Sequence, residues 1–205
     1  MKPASDIAFT PTVKQLQTQR GSRGNYARME ERGGFRAQIT EDLAEFLSEI
    51  DTAYLATTNA SGQPYAQHRG GPKGFIRVLD DRTLAFADYT GNRQYITTGN
   101  LAENDKAFLF LMDYAHRRRI KIWGRARVVT GDAALIEQLM PENYNAKPEQ
   151  AILFEVEAWD MNCPQHIPQK LNAAEVAETH RRLETRITEL ETEYAGLKAL
   201  IEGID

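Results

Sequence analysis

Thr52-Ala53-Tyr54-Leu55-Ala56-Thr57-Thr58 and Tyr65-Ala66-Gln67-His68-Arg69 flank the cluster Asn59-Ala60-Ser61-Gly62. Gly and Asn accept positive φ, so the cluster reads as a turn and its flanks as the two strands of a β-hairpin. The same short period runs on to residue 159. Residues 75–79 and 83–87 form a second hairpin across Asp80-Asp81-Arg82. Residues 107–112 are apolar on both sides, as expected of a strand covered on both faces. Residues 120–129 alternate, with Ile120, Ile122, Gly124, Ala126 and Val128 on one face and Arg119, Lys121, Trp123, Arg125 and Arg127 on the other. In the last run, 151–158, Ile152, Phe154 and Val156 oppose Glu155 and Glu157. About seven strands result, with helical interruptions only near 93–101 and 132–139. A doubly wound sheet needs a helix after nearly every strand, so the pattern predicts a mainly β antiparallel barrel with flanking helices.

On either side of the strands the chain changes character. Residues 1–39 carry Lys2, Lys14, Arg20, Arg23, Arg28, Arg32 and Arg36 against Asp6, Glu30 and Glu31, and make a basic arm. Thr10-Pro11 can open a short helix there, but Gly21, Gly24 and Gly33-Gly34 predict an irregular wrap. Residues 40–50 have the acidic start and the Leu43, Phe46, Leu47, Ile50 spacing of an amphipathic helix. At the other end, Asn172 with Glu175 resembles a capping box. Val176, His180, Leu183, Ile187, Leu190, Tyr194, Leu197 and Ile201 follow at alternating steps of four and three. This heptad seam predicts a long helix packing on another helix, tuned by the pairs Glu178 with Arg182 and Lys198 with Glu202. The expected organisation is thus an arm (1–39), a barrel domain (40–170) and a C-terminal heptad helix (171–205).

The whole chain has 205 residues, a net charge of −4, 41% hydrophobic and 26% charged residues, an ordinary globular balance that excludes disordered and collagen-like classes. No run reaches the length needed to cross a bilayer, and no apolar stretch follows Lys2. A cytoplasmic protein without membrane association is expected. One cysteine, Cys163, cannot build a disulfide framework or a thiolate metal site, which fits a reducing compartment.

Four constellations could carry chemistry. In Gln67-His68-Arg69-Gly70-Gly71-Pro72-Lys73-Gly74-Phe75 a strand ends in a glycine-rich loop whose Arg69 and Lys73 could neutralise an anion; the plain alternative is a hairpin connection with solvated charges. Asp88-Tyr89-Thr90-Gly91-Asn92-Arg93-Gln94 lies between a strand and a short helix, where backbone N–H groups and an arginine make a phosphate site, unless Asn92 is simply an N-cap. The stripe Arg117, Arg119, Lys121, Arg125, Arg127 could hold nucleic acid through phosphates. The acidity of the chain and the lack of stacking aromatics argue instead for a subunit interface or a solvated edge. Trp159-Asp160-Met161-Asn162-Cys163-Pro164-Gln165-His166 supplies too few donors for a metal, and Cys163 with His166 lacks an orienting third group for nucleophilic catalysis.

Taken in order, residues 51–75, residues 89–94 with Gly99-Asn100-Leu101, and residues 159–166 resemble the pyridoxamine 5′-phosphate oxidase-related, FMN-binding split-barrel family over about residues 10–170. The resemblance implies a dimeric antiparallel split barrel with two FMN molecules in grooves between subunits. It implies that Gln67, Arg69, Gly70 and Lys73 line the flavin and ribityl chain, and that Asn92, Arg93 and Gln94 hold the phosphate. Asp88 approaches the flavin, and Arg119 and Trp159 approach it from the other subunit. Related barrels also bind deazaflavin or haem, so the cofactor stays open within that set.

The departures bear on substrate. The oxidases hold pyridoxamine phosphate with an Arg-x-His element after the tryptophan, and here residues 162–166 contain no arginine. Of a Tyr, Arg and Ser cluster expected around 132–145, Tyr144 is the only loose match. The heptad helix has no counterpart in the oxidases proper. The resemblance thus implies an FMN-dependent oxidoreductase acting on a small organic substrate other than the vitamin. The alternatives are a non-catalytic FMN-binding or sensing module whose C-terminal helix addresses a partner, and an anion or nucleic-acid binder working through the arm and the stripe.

Overall fold

The computed structural model describes residues 2–162 and 164–202 of the chain. Cys163, and with it any thiol role, lies outside the described residues, as does the Glu202 side chain of the expected pair with Lys198. The described chain divides into two compact units, Met1–Asp113 with Arg118–Gln165, and Tyr114–Arg117 with His166–Asp205.

In the first unit the strands are β1 (Thr52–Thr58), β2 (Pro64–Gly70), β3 (Arg77–Val78), β4 (Thr83–Tyr89), β5 (Lys106–Asp113), β6 (Arg118–Val129) and β7 (Pro148–Asn162). They form one antiparallel sheet in the order β2-β1-β5-β6-β7-β4-β3. The sheet is antiparallel, as the strand period predicted, and its backbone ladder does not close, as the split barrel of the resemblance implies. The first turn works as read: Gly62 has φ 85°, and Asn59 Oδ1 accepts from the Gln63 amide at 2.9 Å. In the second, Asp80 Oδ1 accepts from the amides of Arg82 and Thr83, both at 2.8 Å.

Alternation decides the core. Leu55, Leu84, Phe86, Leu109, Leu111, Ile120, Ile122, Phe154 and Val156 point into one buried cluster, which the apolar face of α3 (Glu41–Glu49) joins through Leu43, Phe46 and Leu47. A smaller cluster on the other side of the sheet packs Leu139 of α5 (Ala133–Leu139) against Ala85, Ala87 and Ala151. Between Trp123 and Gly124 the β6–β7 register shifts. A Cβ on Gly124 would lie 1.9 Å from the Glu155 carbonyl oxygen, so only glycine permits that approach.

The N-terminal arm is helical where its glycines predicted an irregular wrap. A 3₁₀ turn (Ala4–Ile7) precedes α1 (Pro11–Gln19) and α2 (Arg23–Glu31). α1 opens at Thr10-Pro11 as expected, and Thr10 caps it, accepting from the Val13 amide at 3.3 Å. The segment orders around Glu30, a largely buried carboxylate that pairs with Arg23 and Lys14 and accepts from the Ser5 hydroxyl at 3.2 Å. Beyond the helices, Phe35 stacks on Trp123 at 5.2 Å, and Arg36 exchanges backbone hydrogen bonds with Trp159 at 3.1 and 2.8 Å. The arm therefore lies against the sheet.

In the second unit, residues 114–117 pack with residues 166–170: the Lys170 amide donates to the Tyr114 carbonyl and its ammonium sits 4.4 Å from the Tyr114 ring. There α6 (Ala173–Glu202) is a single 30-residue helix, with Asn172 Oδ1 accepting from the Ala174 amide at 2.8 Å. Along it Glu178 pairs with Arg181, one position before the expected Arg182. No described helix is long and apolar enough to cross a membrane.

Candidate functional site

The edge strand β2 and the inner strand β4 are far apart in the ladder, yet their ends meet. Arg69, near the end of β2, forms an ion pair with Asp88, near the end of β4, and both side chains are largely buried. Asp88 sits where the β4–β7 register slips. Its other oxygen accepts from Gln150 Nε2 at 2.8 Å, and the same amide donates to Thr98 Oγ1 at 3.0 Å. The Thr97 hydroxyl donates to Gln67 Oε1 at 2.9 Å. Two strands, the start of β7 and the start of α4 (Ile96–Glu103) thus converge on one cleft. Deeper in, Asn100 donates to Thr57 Oγ1 at 3.0 Å and anchors α4 to β1.

The wall of the cleft over residues 91–95 is held in an uncommon conformation. Arg93 and Tyr95 have φ of 57° and 54°, left-handed values that cost a non-glycine residue about 1 kcal/mol or more each. The Tyr95 hydroxyl, donating to Glu149 Oε1 at 2.7 Å, offsets part of that cost. That hydrogen bond also raises the hydroxyl's pKa above the ordinary tyrosine value. Asn92 is not the N-cap of α4; its Oδ1 accepts from the Gln94 amide at 3.2 Å. Tyr95 takes the cap position, and its side chain accepts no bond from the helix. The cap residue therefore leaves the first-turn amides of α4 without its side chain as an acceptor, the arrangement that favours an anion at a helix start.

Of the residues anticipated from sequence, Gln67, Arg69, Asp88, Asn92, Arg93 and Gln94 line this cleft together. Gly70, Lys73, Arg119 and Trp159 do not. A Cβ on Gly70 would lie 2.9 Å from His68, and Lys73 stands 3.6 Å from Glu49. Trp159 is buried, with its indole N–H donating to the Gln38 carbonyl at 2.8 Å and the Arg36 guanidinium 5.0 Å from its ring. Sequence reasoning missed Tyr65, Thr97, Thr98, Glu149 and Gln150 in the cleft. The available signal was Pro148-Glu149-Gln150, which extends β7 beyond its predicted start.

Among the described residues that are not exposed, Arg69 Nε and Arg119 Nε are buried with no hydrogen-bond partner. Such N–H groups cost free energy unless a ligand or water accepts from them. Two other members of the basic stripe are neutralised within the chain: Arg125 bridges Asp105 at 2.6 Å and Glu157 at 2.9 Å, and Lys121 faces Asp160 at 3.6 Å. Burial pushes the Asp160 carboxyl above its ordinary value, against the pull of Lys121.

The family model described as pyridoxamine 5′-phosphate oxidase matches residues 39–163. The chain belongs to the pyridoxamine 5′-phosphate oxidase family. All seven strands lie inside the match, and the N-terminal helices and α6 lie outside it. Among solved structures, HupZ of Group A Streptococcus shares this family fold with 20% identity and a TM-score of 0.50, over 65% of this chain and 99% of that one. An FMN-binding protein from Syntrophomonas wolfei is 13% identical over 71% and 97% of the two chains, with a TM-score of 0.45. A general stress protein 26-related protein from Clostridium acetobutylicum is 15% identical over 67% and 99%, with a TM-score of 0.44. No curated protein matches the sequence.

Proposed function

We propose that the chain is a cytoplasmic FMN-binding flavoprotein that works as an oxidoreductase on a small organic substrate, as a homodimer with the cofactor between two copies. The observation that carries this reading is the buried, unpartnered Arg69 Nε in a cleft that also presents the uncapped start of α4. A ligand with a phosphate at one end and hydrogen-bond acceptors along its length satisfies both. Arg93, Asn92 and Gln94 would hold the phosphate beside the first turn of α4. Gln67 and Arg69 would contact the ribityl chain and ring edge, with Asp88 and Gln150 fixing the orientation of Arg69, while Gly70 and Lys73 frame the loop beyond.

FMN, when bound, supplies hydride chemistry to which the protein adds orientation and charge. Arg119, whose Nε also lacks a partner, would reach the ring from the second copy and stabilise negative charge there, and Trp159 would form part of that wall. Residues 162–166 have no arginine to hold a substrate phosphate. We therefore assign a substrate other than pyridoxamine 5′-phosphate.

The test is the absorption spectrum of the purified chain with and without added FMN. Bound-flavin bands at about 370 and 450 nm are expected; a chain that stays colourless in excess FMN overturns the reading. Steady re-oxidation of the bound flavin under NADH or NADPH then separates an oxidoreductase from a module that only holds FMN.

A further inference from the structure

α6 presents an uncovered apolar seam along its full length. With Val176 at d, the d positions are Val176, Leu183, Leu190 and Leu197, and the a positions are His180, Ile187, Tyr194 and Ile201. The apolar members of this seam are between 46% and 69% exposed. A single amphipathic helix with such a face is marginal in water, because most helical stability comes from covering the stripe. We propose that the seam is covered by α6 of a second copy of this chain, in a parallel two-stranded coiled coil.

Two features select that occupant and that orientation. Leucine at d with isoleucine at Ile187 and Ile201 is the combination that favours two parallel strands. The flanking charges then match. In a parallel pair each g position meets the e position of the next heptad on the other helix. Arg186 meets Glu191 of the second copy, and Glu193 meets its Lys198, each twice by symmetry. An antiparallel pair in full overlap keeps an attraction between Arg186 and Glu193 but sets Glu184 against Glu191, which is repulsive, and leaves Lys198 opposite Ala177, so its charges match less well. The ion pair of Arg186 on its own helix, with Glu189 at 2.9 Å, is exposed, so Arg186 can turn to the other strand at little cost.

The inference is tested in the full chain carrying Cys163→Ser. Leu190→Cys places one thiol at a d position, where parallel strands bring identical residues within disulfide reach. Thr185→Cys, on the outer face, is the control. Under air oxidation the Leu190→Cys chain is expected to form a covalent dimer at least about tenfold faster than the control. Equal rates, or no dimer at position 190, overturn the proposal. So does faster cross-linking in a mixture of Ile187→Cys with Leu190→Cys than in Leu190→Cys alone, which indicates antiparallel strands. Charge reversal gives a second readout: Arg186→Glu should slow the Leu190→Cys cross-link and the added Glu191→Arg should restore it, and no response to either overturns the assigned register. None of these readouts depends on FMN, so failure here is distinguishable from failure of the cofactor reading.

Discussion

Arg69 of β2 and Asp88 of β4 are joined by an ion pair across the gap that the backbone ladder leaves open. Side chains thus tie the split barrel where strand pairing does not, and the same tie shapes the candidate cofactor cleft. Arg69→Ala strands a largely buried carboxylate and should lower unfolding free energy by about 2 to 3 kcal/mol. Urea titration of Arg69→Ala, Asp88→Ala and the double variant should give a coupling of about 1 kcal/mol or more; strictly additive losses would show that the pair does not bridge the gap.

If Arg93 and the first turn of α4 bind a phosphate, Arg93→Ala should weaken FMN by about tenfold or more, the scale of one charge-assisted hydrogen bond. Riboflavin, which has no phosphate, should bind the variant and the parent chain alike. Titration with both ligands decides, and an equal loss for the two would move the phosphate elsewhere.

Gly124→Ala drives a methyl group into the Glu155 carbonyl and should cost more than about 3 kcal/mol. Gly91, with nothing near its Cβ position, should accept alanine within about 0.5 kcal/mol. Thermal unfolding of both variants separates a glycine required by β6–β7 contact from one in an open loop.

Burial alone would raise the Glu30 carboxyl, but its bonds to Arg23, Lys14 and Ser5 outweigh that and hold it below the ordinary value of 4.5. A depressed carboxylate contributes stability that is complete above its ordinary value and lost as the pH falls through its folded value. Glu30→Gln should therefore loosen α1 and α2 at pH 7, seen as faster amide hydrogen exchange, and the difference should shrink below about pH 4. A difference that persists in acid would assign the arm's order to packing instead.

The hairpin at residues 59–62 and the faces of β6 were legible because strand alternation and turn chemistry are local. Gln67, Arg69, Asp88 and residues 92–94 could be assigned to one site only through the family resemblance, since no period connects β2 to β4. Glu149 and Gln150 escaped because their role is set by what β7 pairs with. The arm was misread for the same reason: Gly24 lowers helix propensity, and the contacts that overrule it, Arg23 with Glu30 and Phe9 with Phe35 at 5.3 Å, are tertiary.

The docking of the arm also has an optical consequence. The chain has two tryptophans, and the arm touches both, Phe35 lying over Trp123 and Arg36 and Gln38 engaging Trp159. Intrinsic fluorescence is then a reporter of one event, because release of residues 35–38 exposes both indoles to water together and shifts the whole emission to the red. An arm that opens before the barrel unfolds would register as a separate early step in that signal.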